Sequence, residues 1–192
     1  MLVPLNKDED LRCCRPSHTM LILCRRLTAS HPQGAQVRNK RGISSMKVYI
    51  ASDHAGFYLK KQLIQYLGIK GYEVEDCGAF EMDESDDYPD FIIPCAQKVA
   101  NYKDSLGVVI GGSGNGEAIA ANKVKRVRAA VYNSGKAEIA RLAREHNNAN
   151  VLALGARFIT PDEAKRAVTT WLEADFEGGR HERRLKKIEE VE

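Results

Sequence analysis

The stretch LGVVIGGSGNGE, residues 106–117, decides how this chain folds. It opens with a short apolar and β-branched run, residues 106–110, which predicts a buried β-strand. A glycine-rich turn follows, residues 111–116, which we call the glycine turn. The alanine-rich residues 118–123 after it favour a helix. A strand that passes through such a turn into a helix directs backbone N–H groups and the positive end of the helix dipole at one point. An anion can bind there.

Glu117 comes directly after this turn. A site for phosphate alone gains nothing from a neighbouring carboxylate, whereas a site that stabilises a developing oxyanion needs a base beside it. We therefore treat Glu117 as the candidate general base. The alternative is a plain strand-to-helix turn, in which Glu117 only complements the helix dipole.

Two nucleotide-binding motifs do not fit the turn. The dinucleotide motif requires a third glycine where this chain has Glu117, and it requires an acidic residue at the end of the next strand, which is missing at residues 127–132. The P-loop requires Lys and then Ser or Thr after its last glycine, but Glu117 and Ala118 follow Gly116.

From Met46 onward, short apolar segments alternate with amphipathic ones. The predicted strands are residues 47–51, 72–77, 106–110, 128–132 and 150–154. The predicted helices are residues 57–67, 88–99, the segment after the glycine turn, 134–145, 161–172 and 180–190; Thr160, Pro161 and Glu163 form a helix-start signal. Five strands alternating with helices predict an α/β fold, a Rossmann-like three-layer α/β/α sandwich around a five-stranded parallel sheet.

The first 45 residues differ from the rest of the chain. They carry eight Lys/Arg and three Asp/Glu, a net charge of +5, so residues 46–192 sum to −2 and the chain to +3. The basic charge therefore gives no reason to expect nucleic-acid binding by the domain. The apolar patch at residues 20–24 is too short to span a membrane, and the acidic residues 8–10 argue against an organelle transit peptide.

We expect residues 1–45 to be a disordered extension or the product of a misread start codon, and residues 46–192 to be one folded domain in the cytoplasm. Three of the five cysteines lie in the extension, and the domain retains Cys77 and Cys95. No Cys or His pair has the spacing of metal ligands, so we predict neither a metal nor a cofactor. The acidic residues 81–87 do not match a calcium loop and are expected to form a solvated loop.

Polar residues follow several predicted strands. Asp53 and His54 follow the first strand, Glu117 follows the third, and Arg157 follows the fifth, while His146 lies near the end of the fourth helix. Ligands of parallel sheets bind beyond the carboxyl ends of the strands. The topology therefore predicts that these side chains converge.

Five motifs, in this order, resemble the type B ribose-5-phosphate isomerases, within the sugar-phosphate isomerase family that also holds galactose-6-phosphate and allose-6-phosphate isomerases. The motifs are ASDHAG at 51–56, GGSGNGE at 111–117, AANK at 120–123, REHNNANV at 144–151 and GGRHERR at 178–184. The resemblance covers residues 46–190 and none of 1–45. It implies an α/β/α sandwich with a five-stranded parallel sheet.

The resemblance also implies roles for single residues. Many members carry a cysteine as the base at the position of Gly111, whereas another branch carries a glutamate that aligns with Glu117. His146 matches the residue that opens the sugar ring, and Ser113 joins the catalytic candidates. The residues that match contacts to substrate are His54, Arg157, Arg180 and Arg184 at the phosphate end, with His181 beside them, and Asp53, Asn147, Gly112, Ser113, Gly114, Asn115 and Gly116 at the sugar hydroxyls and the enediolate.

Aldose–ketose isomerisation needs a base, donors for the enediolate oxygen and a cationic clamp for the phosphate. The expected reaction interconverts ribose 5-phosphate and ribulose 5-phosphate. The alternatives are an isomerase of a four- or six-carbon aldose phosphate, and a non-catalytic domain that binds a nucleotide or a sugar phosphate. The resemblance further implies a homodimer, or a tetramer, whose charged C-terminal helix completes the neighbour's site; a solvated helix is the alternative. No nucleic acid or membrane partner is expected.

Overall fold

The computed structural model of this chain describes residues 46–191, and the predictions for residues 1–45 lie outside the described residues. The strands are β1 (Lys47–Ser52), β2 (Glu73–Asp76), β3 (Ser105–Gly111), β4 (Ala129–Tyr132) and β5 (Val151–Gly155). The helices are α1 (Phe57–Ile69), α2 (Pro89–Asn101), α3 (Asn115–Ala121), α4 (Ala137–Asn147), α5 (Pro161–Glu173) and α6 (Arg180–Glu189), and one turn of 3-10 helix (His54–Gly56) precedes α1.

The five strands form one parallel sheet in the order β2-β1-β3-β5-β4. In the register of the central strands, Ser52 lies opposite Ile110, and Gly111 lies opposite Gly155. The carboxyl ends of β1, β3 and β5 therefore meet at one edge of the sheet. The predicted five-stranded parallel sheet is confirmed.

Each face of the sheet carries its own apolar core. Because side chains alternate along a strand, Val48 and Ile50 of β1 pack with buried residues of α1, α4 and α5. Tyr49 and Ala51 of the same strand pack on the opposite face, with buried residues of α2 and α3. The predicted three-layer α/β/α sandwich is confirmed. Within residues 46–191, no helix is long and apolar enough to cross a membrane.

Two local features place the elements around the glycine turn. Helix α3 begins at Asn115, three residues before the alanine-rich segment that predicted it, so Glu117 lies in its first turn. Gly114 precedes the helix with a φ of 81°, and a Cβ there would lie 3.0 Å from the carbonyl carbon of Leu154. A residue with a side chain fits neither that backbone conformation nor that space. At α5, the predicted capping box of Thr160 with Glu163 is present.

Candidate active site

A cavity of about 420 Å³ opens at the carboxyl edge of the sheet. Its walls come from the segments that follow β1, β3 and β5, together with Tyr88 at the start of α2. The residues that line it are Asp53, His54, Ala55, Tyr88, Gly112, Ser113, Gly116, Glu117, Arg157 and Phe158. The structure thus brings together the predicted site residues that follow these three strands.

Backbone hydrogen bonds hold the three segments against one another. The N–H of Asp53 donates to the carbonyl of Ile110 over 3.3 Å, which fixes the end of β1 beside β3. The N–H of Arg157 donates to the carbonyl of Gly112 over 3.1 Å, which fixes the segment after β5 beside the glycine turn. The position of the cavity therefore follows from the strand order.

Glu117 is buried, with 4% of its surface exposed. Burial raises the pKa of its carboxyl group above the ordinary value, and the negative charge of Asp53 acts in the same direction. Hydrogen bonds that the carboxyl accepts from the backbone N–H groups of Glu117 and Gly114 oppose this rise. A buried carboxyl of raised pKa that lines a cavity is suited to proton transfer.

The carboxyl group of Glu117 folds back over Gly111. A Cβ built on Gly111 would lie less than 3.0 Å from all three carboxyl atoms, Oε1, Cδ and Oε2. The carboxyl group therefore occupies the space that a side chain at position 111 would fill. In this conformation, a side chain at position 111 and the carboxyl of Glu117 exclude each other.

Two aromatic residues of the cavity were missed by the reasoning from sequence. Tyr88 packs against the glycine turn, since a Cβ on Gly116 would lie 3.0 Å from its ring carbon Cζ and 3.1 Å from its hydroxyl oxygen. Phe158, which follows Arg157, lines the cavity although its side chain is largely exposed. The only signal for Tyr88 was its place directly before Pro89, the first residue of α2.

Asp86 was also missed, because the acidic loop was expected to be solvated. Glu81, Asp83, Glu84 and Asp87 are indeed exposed. The side chain of Asp86, however, is only 6% exposed, so the expectation was wrong for this residue. Its Oδ1 lies 2.6 Å from Nδ1 of His54 and 3.2 Å from the backbone nitrogen of His54.

The remaining predicted side chains form a second cluster, at the end of α4 and the start of α6. The rings of His146 and His181 stack with centroids 4.3 Å apart and planes 6° from parallel. Oε2 of Glu177 lies 3.7 Å from Nε2 of His146 and 3.8 Å from Nε2 of His181. Burial lowers the pKa of His181, and the neighbouring His146 and Arg180 lower it further.

This second cluster does not line the cavity that holds Glu117. His146, Arg180, His181 and Arg184 are absent from the cavity walls, and Asn147 lines a separate groove beside α6. Gly114, which precedes α3, and Asn115, its first residue, do not line the cavity either. Within a single chain, the predicted convergence therefore holds for the strand ends but not for the end of α4 or for α6.

Two groups of described residues bring three possible metal-donor atoms within 4.8 Å of one another. They are Asp53 with His54 and Asp86, and His146 with Glu177 and His181. Proximity of donor atoms does not by itself make a metal site. In the first group the pair of His54 Nδ1 and Asp86 Oδ1 is already a short hydrogen bond, and the second contains stacked rings. The absence of a metal and a cofactor stays a prediction.

Residues 48–188 match the sequence model of one protein family, the ribose/galactose isomerases. The chain belongs to this family. Ribose-5-phosphate isomerase B of Mycolicibacterium paratuberculosis is 47% identical over 148 residues, which cover 77% of this chain and 92% of that relative. The enzyme of the same name from Mycobacterium leprae is 46% identical over 155 residues, or 78% of this chain and 92% of the relative.

Solved structures of the family agree in fold. Ribose-5-phosphate isomerase B from Mycoplasma genitalium, with bound ribulose-5-phosphate, has a TM-score of 0.73 and 47% identity, over 77% of this chain and 96% of its own. The protein of the same name from Clostridium thermocellum has a TM-score of 0.72 and 48% identity, over 76% and 97%. The family predicted from the five motifs is thus confirmed, and the roles of single residues stay predictions.

Proposed function

We propose that this chain interconverts ribose 5-phosphate and ribulose 5-phosphate by proton transfer through an enediolate. Relatives that carry the name ribose-5-phosphate isomerase B are 46–47% identical over most of the domain. The observation that carries the proposal is Glu117, a buried carboxyl of raised pKa beside the N–H groups of a glycine-rich turn. A domain that only binds a sugar phosphate has no use for such a base.

Glu117 takes the proton from C2 of the open-chain aldose and returns it to C1. The charge that develops on the enediolate oxygen lies at the amino end of α3, where the backbone N–H groups and the helix dipole stabilise it. Ser113 lines the cavity, and its Oγ accepts a hydrogen bond from the N–H of Asn115 over 3.3 Å. Its own O–H can then donate to a sugar oxygen.

Arg157 and His54 supply positive charge for the phosphate. Both line the cavity, and the Arg157 side chain lies along the glycine turn, with Nε 3.4 Å from the Cβ position of Gly112. A guanidinium offers paired donors in a plane and stays charged at any working pH. The phosphate end therefore lies at Arg157, and the reacting carbons lie nearer to Glu117.

A homodimer with shared sites accounts for the second cluster. The resemblance assigns ring opening to His146 and phosphate contacts to Arg180 and Arg184, yet none of these lines the cavity of its own chain. In the proposed dimer, the α4 end and α6 of one protomer face the cavity of its partner. A twofold axis makes this exchange reciprocal, so each dimer has two complete sites.

The test is a coupled assay of the purified chain with ribose 5-phosphate and a panel of four- and six-carbon aldose phosphates. Glu117→Gln keeps the shape of the side chain but cannot accept the proton, so we expect kcat to fall by about 100-fold or more with KM near normal. Glu84→Gln, an exposed change of the same chemistry, is the control and should leave both constants unchanged. Full activity of Glu117→Gln would place the base elsewhere.

A further inference from the structure

Asp86 binds His54 through two hydrogen bonds to one carboxylate oxygen. Oδ1 of Asp86 accepts from the backbone N–H of His54 over 3.2 Å and from ring atom Nδ1 over 2.6 Å. The two residues are 32 positions apart in the chain, and the Asp86 side chain is almost fully buried. The contact therefore holds both the backbone and the ring of His54 in one orientation.

The loop that carries Asp86 is itself anchored at its start. Nζ of Lys60, a fully buried lysine of α1, donates to Oδ1 of Asp76 and to the carbonyl of Ala79, each over 2.6 Å. The N–H of Ala79 donates to the carbonyl of Ser52, the last residue of β1, over 2.7 Å. The loop is thus tied to the strand end from which His54 emerges.

The hydrogen bond also selects the form of the imidazole. Since Nδ1–H donates to Asp86, Nε2 is the ring nitrogen left for a ligand, and His54 lines the cavity whereas Asp86 does not. The hydrogen bond to Asp86 raises the pKa of His54, and the charge of Asp53 adds to this rise. Burial and the positive charge of Arg157 oppose it. Asp83, on the same loop, also faces His54: hydrogen bonds from the side chain and backbone of Ser85 lower the pKa of Asp83, and the positive charge of His54 adds to this.

We propose that Asp86 is a positioning residue, which holds His54 as an imidazolium whose Nε2–H binds the phosphate of the substrate. The inference rests on the proposed function and deepens it, since it explains how a histidine stays charged beside Arg157. Loss of the Asp86 charge then weakens phosphate binding above the pKa of His54 and leaves the proton-transfer step intact. A carboxylate that only fastened the loop would produce no such pH dependence.

The experiment compares Asp86→Asn with Asp87→Asn in the full chain. Asp87 is the neighbouring exposed residue, so its substitution removes the same charge from the same loop without touching His54. The titration of His54 is followed by NMR, and its ring signal is assigned among the five histidines by its loss in His54→Gln. The same samples are titrated with inorganic phosphate, and kcat and KM for ribose 5-phosphate are measured from pH 5 to pH 9.

We expect Asp86→Asn to lower the titration midpoint of His54 by about one pH unit, and to weaken its response to inorganic phosphate at neutral pH. KM should rise about tenfold at pH 8 relative to the unaltered chain, with kcat within about twofold. The ratio of the KM of Asp86→Asn to that of the unaltered chain should return towards one near pH 5, where His54 is protonated in both chains. The KM of Asp87→Asn should match that of the unaltered chain. In the His54→Gln background, Asp86→Asn should cause no further change in KM.

An unchanged His54 midpoint in Asp86→Asn, or a loss of kcat at constant KM, would overturn the proposal. So would a His54 in the unaltered chain that titrates below the ordinary value of 6.5, a result that does not depend on whether the variant folds. The NMR titrations with inorganic phosphate do not require turnover. If ribose 5-phosphate is not isomerised, the proposed function fails, while the titrations still decide the role of Asp86.

Discussion

Gly111→Ala should disable the enzyme without replacing any side chain that contacts substrate, because it displaces the carboxyl group of Glu117. The added Cβ would lie less than 3.0 Å from the carboxyl group of Glu117, whereas ordinary contact begins at 3.4 Å and the nearest carboxyl atoms are much closer than that. The carboxyl group must therefore move by more than about 1 Å. Since a misplacement of about 1 Å costs about 100-fold in rate, kcat should fall by that factor, or about 2.7 kcal/mol of transition-state stabilisation.

The assay for this prediction is steady-state kinetics with ribose 5-phosphate, together with thermal unfolding. KM should stay near normal, because Gly111→Ala leaves Arg157 and His54 in place. Overpacking at the buried carboxyl should also destabilise the fold by about 1–3 kcal/mol. That loss of stability should disappear in the Glu117→Ala background, where the group that the methyl meets is absent.

Gly68→Ala is the matched control. Gly68 lies in α1, and a Cβ there has no atom within 4 Å. The substitution should leave kcat unchanged and stabilise the helix by about 1 kcal/mol. If Gly111→Ala keeps kcat within about threefold, or destabilises the Glu117→Ala chain as much as the unaltered one, the carboxyl does not occupy the space beside Gly111 and the reasoning is refuted.

Two further predictions concern the acid side of the pH profile of kcat and the oligomer. Because the pKa of Glu117 is raised and the base acts only when deprotonated, kcat should be lost as pH falls through a midpoint above 4.5, and a pH profile of kcat that is flat down to 4.5 would contradict this. For the shared site, the experiment is subunit exchange between inactive Glu117→Gln and an Arg180→Ala/Arg184→Ala chain. About a quarter of normal activity should return at low substrate, since each mixed dimer gains one intact site. No recovery would mean that α6 serves its own chain.

The fold could be predicted closely because its signals are local. The strands are short apolar runs with turn residues on both sides, and their observed bounds lie within two residues of those expected. The start of α5 was predicted from Thr160 and Glu163, whose side chains and backbone groups bond one another within four residues of chain. Helix α3 begins earlier than its alanines suggest. Its start was expected too late because the first turn contains Gly116, and glycine has a low helix propensity.

The site could be predicted only where chain order brought residues together. Glu117, Asp53 and Arg157 follow three strands of one parallel sheet, so topology alone predicts that they share an edge. Asp86 lies in a loop whose composition indicates solvent, and its contact with His54 spans 32 residues of chain. The contact between Gly111 and Glu117 depends on a side-chain conformation, which no sequence pattern specifies.

The net charge of the cavity walls explains why one chain alone is a poor site for a sugar phosphate. Among the described residues, the carboxyl side chains that line the cavity are Asp53 and Glu117, and the cationic ones are Arg157 and His54. With Glu117 ionised and His54 protonated, these charges cancel, so a phosphate dianion arrives without net compensation.

Helix α6 carries five Lys/Arg and two Glu, an excess of positive charge. Delivering that helix from the partner would balance the dianion, and would exclude water from the base. In a cis arrangement the same helix would have to leave its own α4, where its His181 now stacks on His146. In the proposed shared site, that contact would stay intact.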